Sequence, residues 1–194
     1  MIVGVLGLQG AVREHVGSLR RLGVDTRVVK DPTDLNGIDA LVLPGGESTA
    51  ISLLASDRIL DPLRRLAGEG FPMFGTCAGM ILLAREVDGA PSPYIGAIDI
   101  GVRRNASGRQ IDSFETLLKV EGIGDDVPAV FIRAPYVTRL GARVVPMARH
   151  EGAVVMAREG SVLVTSFHPE LTEDLRIHRY FLEMVEKGKK EGKG

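Results

Sequence analysis

A single cysteine, no tryptophan, and only six phenylalanines and three tyrosines in 194 residues exclude several classes of protein at once. One thiol cannot form an internal disulfide or supply a cysteine-rich zinc or iron–sulfur site, and it suits a reducing compartment. So few aromatic rings leave no platform for stacking bases. Neither sign of charge is in excess: 24 Lys and Arg against 25 Asp and Glu give a net charge of -1. A polybasic surface for nucleic acid or for a membrane is therefore not expected. Apolar runs approaching the roughly 20 residues of a membrane span are also missing. The opening MIVGVLGLQGAVREH has no basic region ahead of a long apolar stretch, so it does not read as a secretory signal. These absences lead to the expectation of a soluble cytoplasmic protein with no nucleic-acid or membrane partner.

What is present is an alternation of short apolar runs and amphipathic segments. Ile2–Leu6 reads as a strand, and Ala11–Leu22 as a helix with Val12, Val16, Leu19 and Leu22 on one stripe, ended by Gly23. Strands are expected at Thr26–Val29, Ala40–Leu43 and Pro72–Phe74. Helices are expected over 48–69, with a break near Ser56-Asp57, and over Cys77–Val87. This alternation predicts an α/β fold of three layers, a mostly parallel sheet with helices on both faces. From Ile98 onward the pattern changes to short β-rich runs: Ile98–Val102, Leu117–Val120, Ala129–Ile132, Ala142–Val145, Ala153–Ala157 and Val162–Thr165. They read as antiparallel strands added to the same domain. A last helix is expected over Thr172–Lys187, capped by Thr172. Residues 1–187 read as one domain, and the charged, glycine-rich 188–194 as a disordered tail.

The chemistry centres on Cys77. Gly75-Thr76-Cys77-Ala78-Gly79 lies between a short apolar strand and an apolar segment, a thiol version of the G-x-S-x-G nucleophile elbow. The following helix start favours a thiolate, and the Ala78 N–H can serve an oxyanion. A thiol nucleophile needs a base, and the base needs an orienting group. Of four histidines, His15 and His178 lie among charges in helical segments and read as solvated, and His150 reads as a turn residue. His168 follows the last strand, and in His168-Pro169-Glu170 an extended backbone puts Glu170 on the same side as the imidazole. No third ligand for a metal lies near, and no cofactor is implied. Pro44-Gly45-Gly46-Glu47-Ser48-Thr49 reads as a loop whose backbone N–H groups can face an anion. Neither a phosphate-binding nor a dinucleotide-binding glycine motif is present.

The elbow, the PGG loop and the late His168-Pro169-Glu170 together resemble the class I (triad) glutamine amidotransferases. GLQGAVREH at 7–15, LPGGEST at 43–49, RRNASGRQIDSFE at 103–115, FIRAP at 131–135 and SFHPELTED at 166–174 are similar to one branch of them, the glutaminase subunits of pyridoxal 5′-phosphate synthases. The likeness runs from about residue 1 to 186. It implies that Cys77 attacks L-glutamine to form a thioester, that His168 moves the protons and that Glu170 orients His168. It also implies substrate contacts at Gly46, Glu47, Ser48, Arg104, Ile132 and Arg133. Gly46, Ala78 and Gln9 would lie at the oxyanion hole. The ammonia would pass to a (β/α)₈ synthase partner, in a complex of 12 synthase and 12 glutaminase subunits. Such subunits are poor glutaminases until the synthase orders the oxyanion loop.

Three other readings compete. The nearest is the glutaminase subunit of another amidotransferase, such as that of imidazole glycerol phosphate synthase, which would use the same triad. A Cys–His peptidase would use the same elbow and base. A non-enzymatic interaction subunit would carry the triad as a vestige.

Overall fold

The computed structural model describes residues 1–8, 10–46, 57–104 and 113–191. Along the chain come β1 (Ile2–Leu6), α1 (Val12–Arg21), β2 (Asp25–Val29), β3 (Ala40–Leu43), α2 (Asp57–Gly68), β4 (Met73–Thr76) and α3 (Ala78–Leu83). Then follow β5 (Ala84–Val87), β6 (Ile98–Arg103), β7 (Phe114–Val120), β8 (Gly124–Phe131) and β9 (Tyr136–Leu140). The last elements are β10 (Val145–His150), β11 (Ala153–Glu159), β12 (Val162–Thr165) and α4 (Arg176–Glu191).

Runs such as Ala40-Leu41-Val42-Leu43 and Val162-Leu163-Val164-Thr165 are buried at every position. A strand of this kind needs cover on both faces, which a parallel sheet between helices supplies. The main sheet has the order β2-β1-β3-β4-β12-β11-β10-β7-β8. Its first five strands are parallel, and from β11 onward the pairing is antiparallel. On one face Leu63 of α2 and Met80 to Leu83 of α3 pack on Leu41, Leu43 and Met73. On the other, Leu19 of α1 and Phe181 of α4 pack on Val3, Val5 and Phe74. Each such fully buried side chain contributes roughly 1.5–3 kcal/mol of burial.

The expected three-layer α/β architecture is thus present, with differences in detail. The helix expected over Cys77–Val87 ends at Leu83, because Ala84–Val87 pairs in parallel with β6 instead. That pairing builds a second sheet, β5-β6-β9, which no local pattern announces. Ala142-Arg143 is a turn, and of the strand expected over Ala142–Val145 only Val145 is in one, as the first residue of β10; β9 ends before the turn at Leu140. Thr172 does not cap the last helix. It ends a one-turn 3-10 helix at Pro169–Leu171 instead, and the Asp174 carboxylate accepts from the Arg176 N–H at 2.8 Å where α4 begins. The helix continues to Glu191, beyond the Lys187 end expected for it. No helix among the described residues is long and apolar enough to cross a membrane.

The parallel strands carry four loops to one edge of the sheet, where sites of open α/β sheets form. Ala11 N–H donates to the Gly45 carbonyl at 3.2 Å, and Cys77 N–H to the Thr165 carbonyl at 2.8 Å. The ends of β1, β3, β4 and β12 are thereby tied to one another.

Candidate active site

The site is built on the turn between β4 and α3. Cys77 occupies φ 50°, ψ −106°, in the left-handed region that residues with a Cβ rarely enter. Such a conformation costs of order 1–3 kcal/mol and persists only where its surroundings impose it. Here the Cys77 N–H is held by Thr165, and its carbonyl accepts from Met80 at 3.0 Å. The strained turn aims Sγ out of the sheet edge, 3.9 Å from the Ile132 carbonyl oxygen.

His168 leaves β12 at φ −109° and is followed at once by the 3-10 turn that Pro169 opens. An extended backbone was the expected reason for Glu170 to reach His168. The turn achieves the contact instead, with His168 Nδ1 and Glu170 Oε1 2.7 Å apart. Nδ1 is occupied by the carboxylate, which leaves Nε2 for the thiol. Burial, the largest influence, opposes the charged ring, but hydrogen bonds to Cys77 and Glu170 outweigh it and push His168 up to about 10. Burial would likewise raise Glu170, yet the neighbouring His15 and His168 hold its carboxyl below the ordinary range. The arrangement favours a protonated imidazole held between the Cys77 sulfur and the Glu170 carboxylate.

The Pro44–Gly46 loop lies directly over this pair. A Cβ on Gly45 would sit 2.4 Å from His168 Cε1 and 3.0 Å from Cys77 Cβ, so only glycine allows the approach. Gly45 N–H donates to Thr76 Oγ1 at 3.0 Å, and its carbonyl accepts from Ala11. A trans peptide then turns the Gly46 N–H away from α1. The cleft in front of Cys77 has a volume of about 740 Å³ and is lined by Gly46, Ala78, Arg104, Ile132, Arg133 and His168, among others. Arg104 Nε and Nη2 are buried without a hydrogen-bond partner among the described residues, whereas neighbouring Arg103 pairs with Asp88 at 2.6 Å. A buried guanidinium with free donors at a cleft wall suits a carboxylate ligand. Arg133 is exposed, at φ 44°.

Of the residues singled out from sequence, Cys77, His168, Glu170, Gly46, Ala78, Arg104, Ile132 and Arg133 meet at this edge. Gln9, Glu47 and Ser48 lie outside the described residues.

Two histidines depart from expectation. His15 and His178 are not solvated; both are fully buried, with His15 Nδ1 3.0 Å from His178 Nε2. His15 Nε2 reaches Thr76 Oγ1 at 3.2 Å and stands 3.5 Å from Glu170 Oε2. The signal was in the periodicity. His15 falls three residues after Val12 and four before Leu19, and His178 precedes Phe181 and Leu182 by the same spacings. His150 is the last residue of β10, stacked on Phe114 and Phe131.

The buried rings make stability sensitive to acid. Burial drives His178 down to about 3 and also lowers His15. A histidine whose folded value lies below its unfolded value of 6.5 loses stabilisation as pH falls through 6.5. For His178 this amounts to about 2 kcal/mol at pH 5. His168, raised in the fold, works in the opposite sense, losing its contribution as pH rises from 6.5 towards 10. Urea unfolding of wild type and His178→Phe at pH 7 and pH 5 cancels the His168 effect. The wild type is expected to lose about 2 kcal/mol more than the variant over that interval. Equal losses would mean that the ring is not held neutral.

Residues 5–187 match the model of the SNO glutamine amidotransferase family. The pyridoxal 5′-phosphate synthase subunit PdxT of Carboxydothermus hydrogenoformans is 52% identical over 190 residues, covering 97% of this chain and 100% of that protein. PdxT of Exiguobacterium sibiricum is 56% identical over 187 residues, 95% of this chain and 96% of its own. A crystal structure of a glutamine amidotransferase superimposes with a TM-score of 0.89 at 50% identity, over 95% of this chain and 99% of the other. A chain from the structure of PurLQS from Thermotoga maritima shares the fold at a TM-score of 0.68 and 16% identity, over 96% of each chain.

Proposed function

The chain belongs to the SNO glutamine amidotransferase family, and we propose that it is the glutaminase subunit of a pyridoxal 5′-phosphate synthase. It hydrolyses L-glutamine to glutamate and supplies the ammonia to a (β/α)₈ synthase subunit. The observation that carries the chemistry is the strained Cys77 beside a buried His168–Glu170 pair, at the mouth of a cleft walled by an unpaired arginine.

In this reading the Cys77 thiolate attacks the carboxamide carbon of glutamine. The negative charge moves to the carbonyl oxygen, which receives hydrogen bonds from the Ala78 and Gly46 N–H groups, with Gln9 beside them. His168 donates its proton to the departing nitrogen, the C–N bond breaks, and ammonia leaves a γ-glutamyl thioester. His168 then takes a proton from water, which attacks the thioester and frees glutamate and Cys77. Glu170 holds the imidazole orientation through both halves. Arg104 and Arg133 bind the α-carboxylate, with Ile132 beside them, while Glu47 and Ser48 complete the pocket. The 740 Å³ volume readily admits a single amino acid.

The assembly of 12 and 12 subunits and a cytoplasmic location belong to the same proposal. Both rest on the likeness to PdxT sequences over nearly the whole chain.

Glutamate release from L-glutamine, measured with and without the synthase subunit, tests the assignment. Release is expected to rise at least about tenfold with the synthase, which needs only ~1.4 kcal/mol of barrier lowering by loop ordering. Equal turnover in both conditions would leave the glutaminase and remove the partner.

A further inference from the structure

Glu170 has two carboxylate oxygens, and the triad accounts for one. Oε1 faces His168 Nδ1 at 2.7 Å. Oε2 is buried, has no closer hydrogen-bond partner, and looks at His15 Nε2 across 3.5 Å. Behind that ring His15 Nδ1 meets His178 Nε2 at 3.0 Å, and His178 Nδ1 has no partner among the described residues. Neutral imidazoles carry one N–H each, so this pair admits two arrangements.

In the first, His15 donates from Nδ1 to His178. Its bare Nε2 lone pair then faces the Glu170 carboxylate, and His178 is left with a buried Nδ1–H and nothing to accept it. In the second, His178 donates from Nε2 to His15 Nδ1. His15 then carries its proton on Nε2, between Thr76 Oγ1 and Glu170 Oε2, and the unpartnered His178 Nδ1 is only a lone pair. The second arrangement sets a donor rather than a lone pair against the carboxylate, and it leaves the buried Thr76 hydroxyl proton, which the first would place on His15 Nε2, without an acceptor among the described residues. From this geometry we infer that His15, with its tautomer set by His178, is a positioning residue that holds the inner oxygen of Glu170 and so fixes the orientation of His168.

The inference rests on the triad roles proposed above and extends them by one shell. The groups facing His15 are Glu170 and His168 from the loop after β12, Glu14 on its own helix, and His178 from α4. Cys77 enters only through His168. Burial keeps both outer rings neutral, as the donor role requires. His15 is fully buried and takes no part in lining the cleft, so its loss acts on the geometry of the base rather than on glutamine binding.

Two amide variants separate positioning from packing. Gln can present an N–H where His15 Nε2 stands, and Asn only where Nδ1 stands. Glutaminase assays with the synthase present are expected to show His15→Asn losing about 10–100-fold in kcat at unchanged KM, with His15→Gln within about threefold of wild type. Wild-type rates in both variants, or equal losses in both, would overturn the inference. If His15→Asn does not fold, the unmodified protein decides the matter. Imidazole nitrogen NMR at pH 7 should find His15 and His178 neutral with the proton on Nε2, and a proton on His15 Nδ1 refutes the assignment. A wild type that releases no glutamate would instead remove the glutaminase reading, leaving the tautomer to be judged by NMR alone.

Discussion

Cys77→Ala is expected to release glutamate from L-glutamine at least about 10⁴-fold more slowly than wild type, because the members of a nucleophilic triad act as a unit and removing the attacking atom removes the whole pathway. The loss should be chemical and not structural. Cys77 is a small buried residue, and alanine meets the same demand for φ 50° that cysteine already meets. The ties of its N–H to Thr165 and of its carbonyl to Met80 are backbone bonds that survive the change. Glutamine should still bind, since Arg104 and Arg133 keep their places on the cleft wall. Calorimetric titration with glutamine and a glutamate-release assay on the same preparation check both halves. A second test follows from the same coupling: Cys77→Ala/His168→Ala should be no slower than Cys77→Ala alone. A residual rate above about one per cent of wild type in Cys77→Ala would be incompatible with a thioester route of this kind.

Much of this site could be read in the sequence because its parts are local. G-x-C-x-G between an apolar strand and an apolar helix carries its own geometry. His168-Pro169-Glu170 puts the proposed base and its orienting carboxylate two residues apart, close enough to meet whether the backbone is extended or turned. The parallel strands of the first half were equally legible, since Ala40–Leu43 is an unbroken apolar run that only a doubly covered sheet accommodates, but Val162–Thr165, read as one of the added antiparallel strands, pairs in parallel with Met73–Thr76 and antiparallel only with β11. What the sequence concealed depends on pairing between distant segments. Ala84–Val87 continues the apolar run of α3, and only its pairing with Ile98–Arg103 makes it a strand. The burial of His15 and His178 had a helical periodicity to announce it, yet their meeting required α1 and α4 to pack on the same face of Phe74. Nor does spacing single out Arg104. Its partnerless burial beside the cleft appears only once β6 is in place.

The elbow also fixes where stability and catalysis meet, and Gly79→Ala should damage both. A Cβ on Gly79 would lie 2.0 Å from the Leu43 carbonyl oxygen and 2.9 Å from its carbon. Those atoms are backbone of β3, whose Leu41, Val42 and Leu43 pair with Met73, Phe74 and Gly75 of β4. A side chain could rotate away from the intrusion; a strand in the middle of the sheet cannot. Overpacking commonly costs 1–3 kcal/mol, and against fixed backbone the cost should reach about 3 kcal/mol or more. In a domain of this size that lowers Tm by roughly 6–12 °C. Any relief must come from moving the start of α3, and Cys77 and Ala78 move with it. A displacement near 1 Å at the reacting atoms costs about 10²-fold in rate. Gly17, on α1, is the matched control, because a Cβ there meets nothing within 4 Å. Gly17→Ala should stabilise the protein by about 0.5–1 kcal/mol through helix propensity alone. The same atom added to two helices is therefore expected to change Tm in opposite directions, with glutaminase turnover lost only at Gly79. Thermal unfolding and a glutaminase assay with the synthase on both variants decide it. A Gly79→Ala protein as stable and as active as wild type would show that the elbow does not need its close contact with β3.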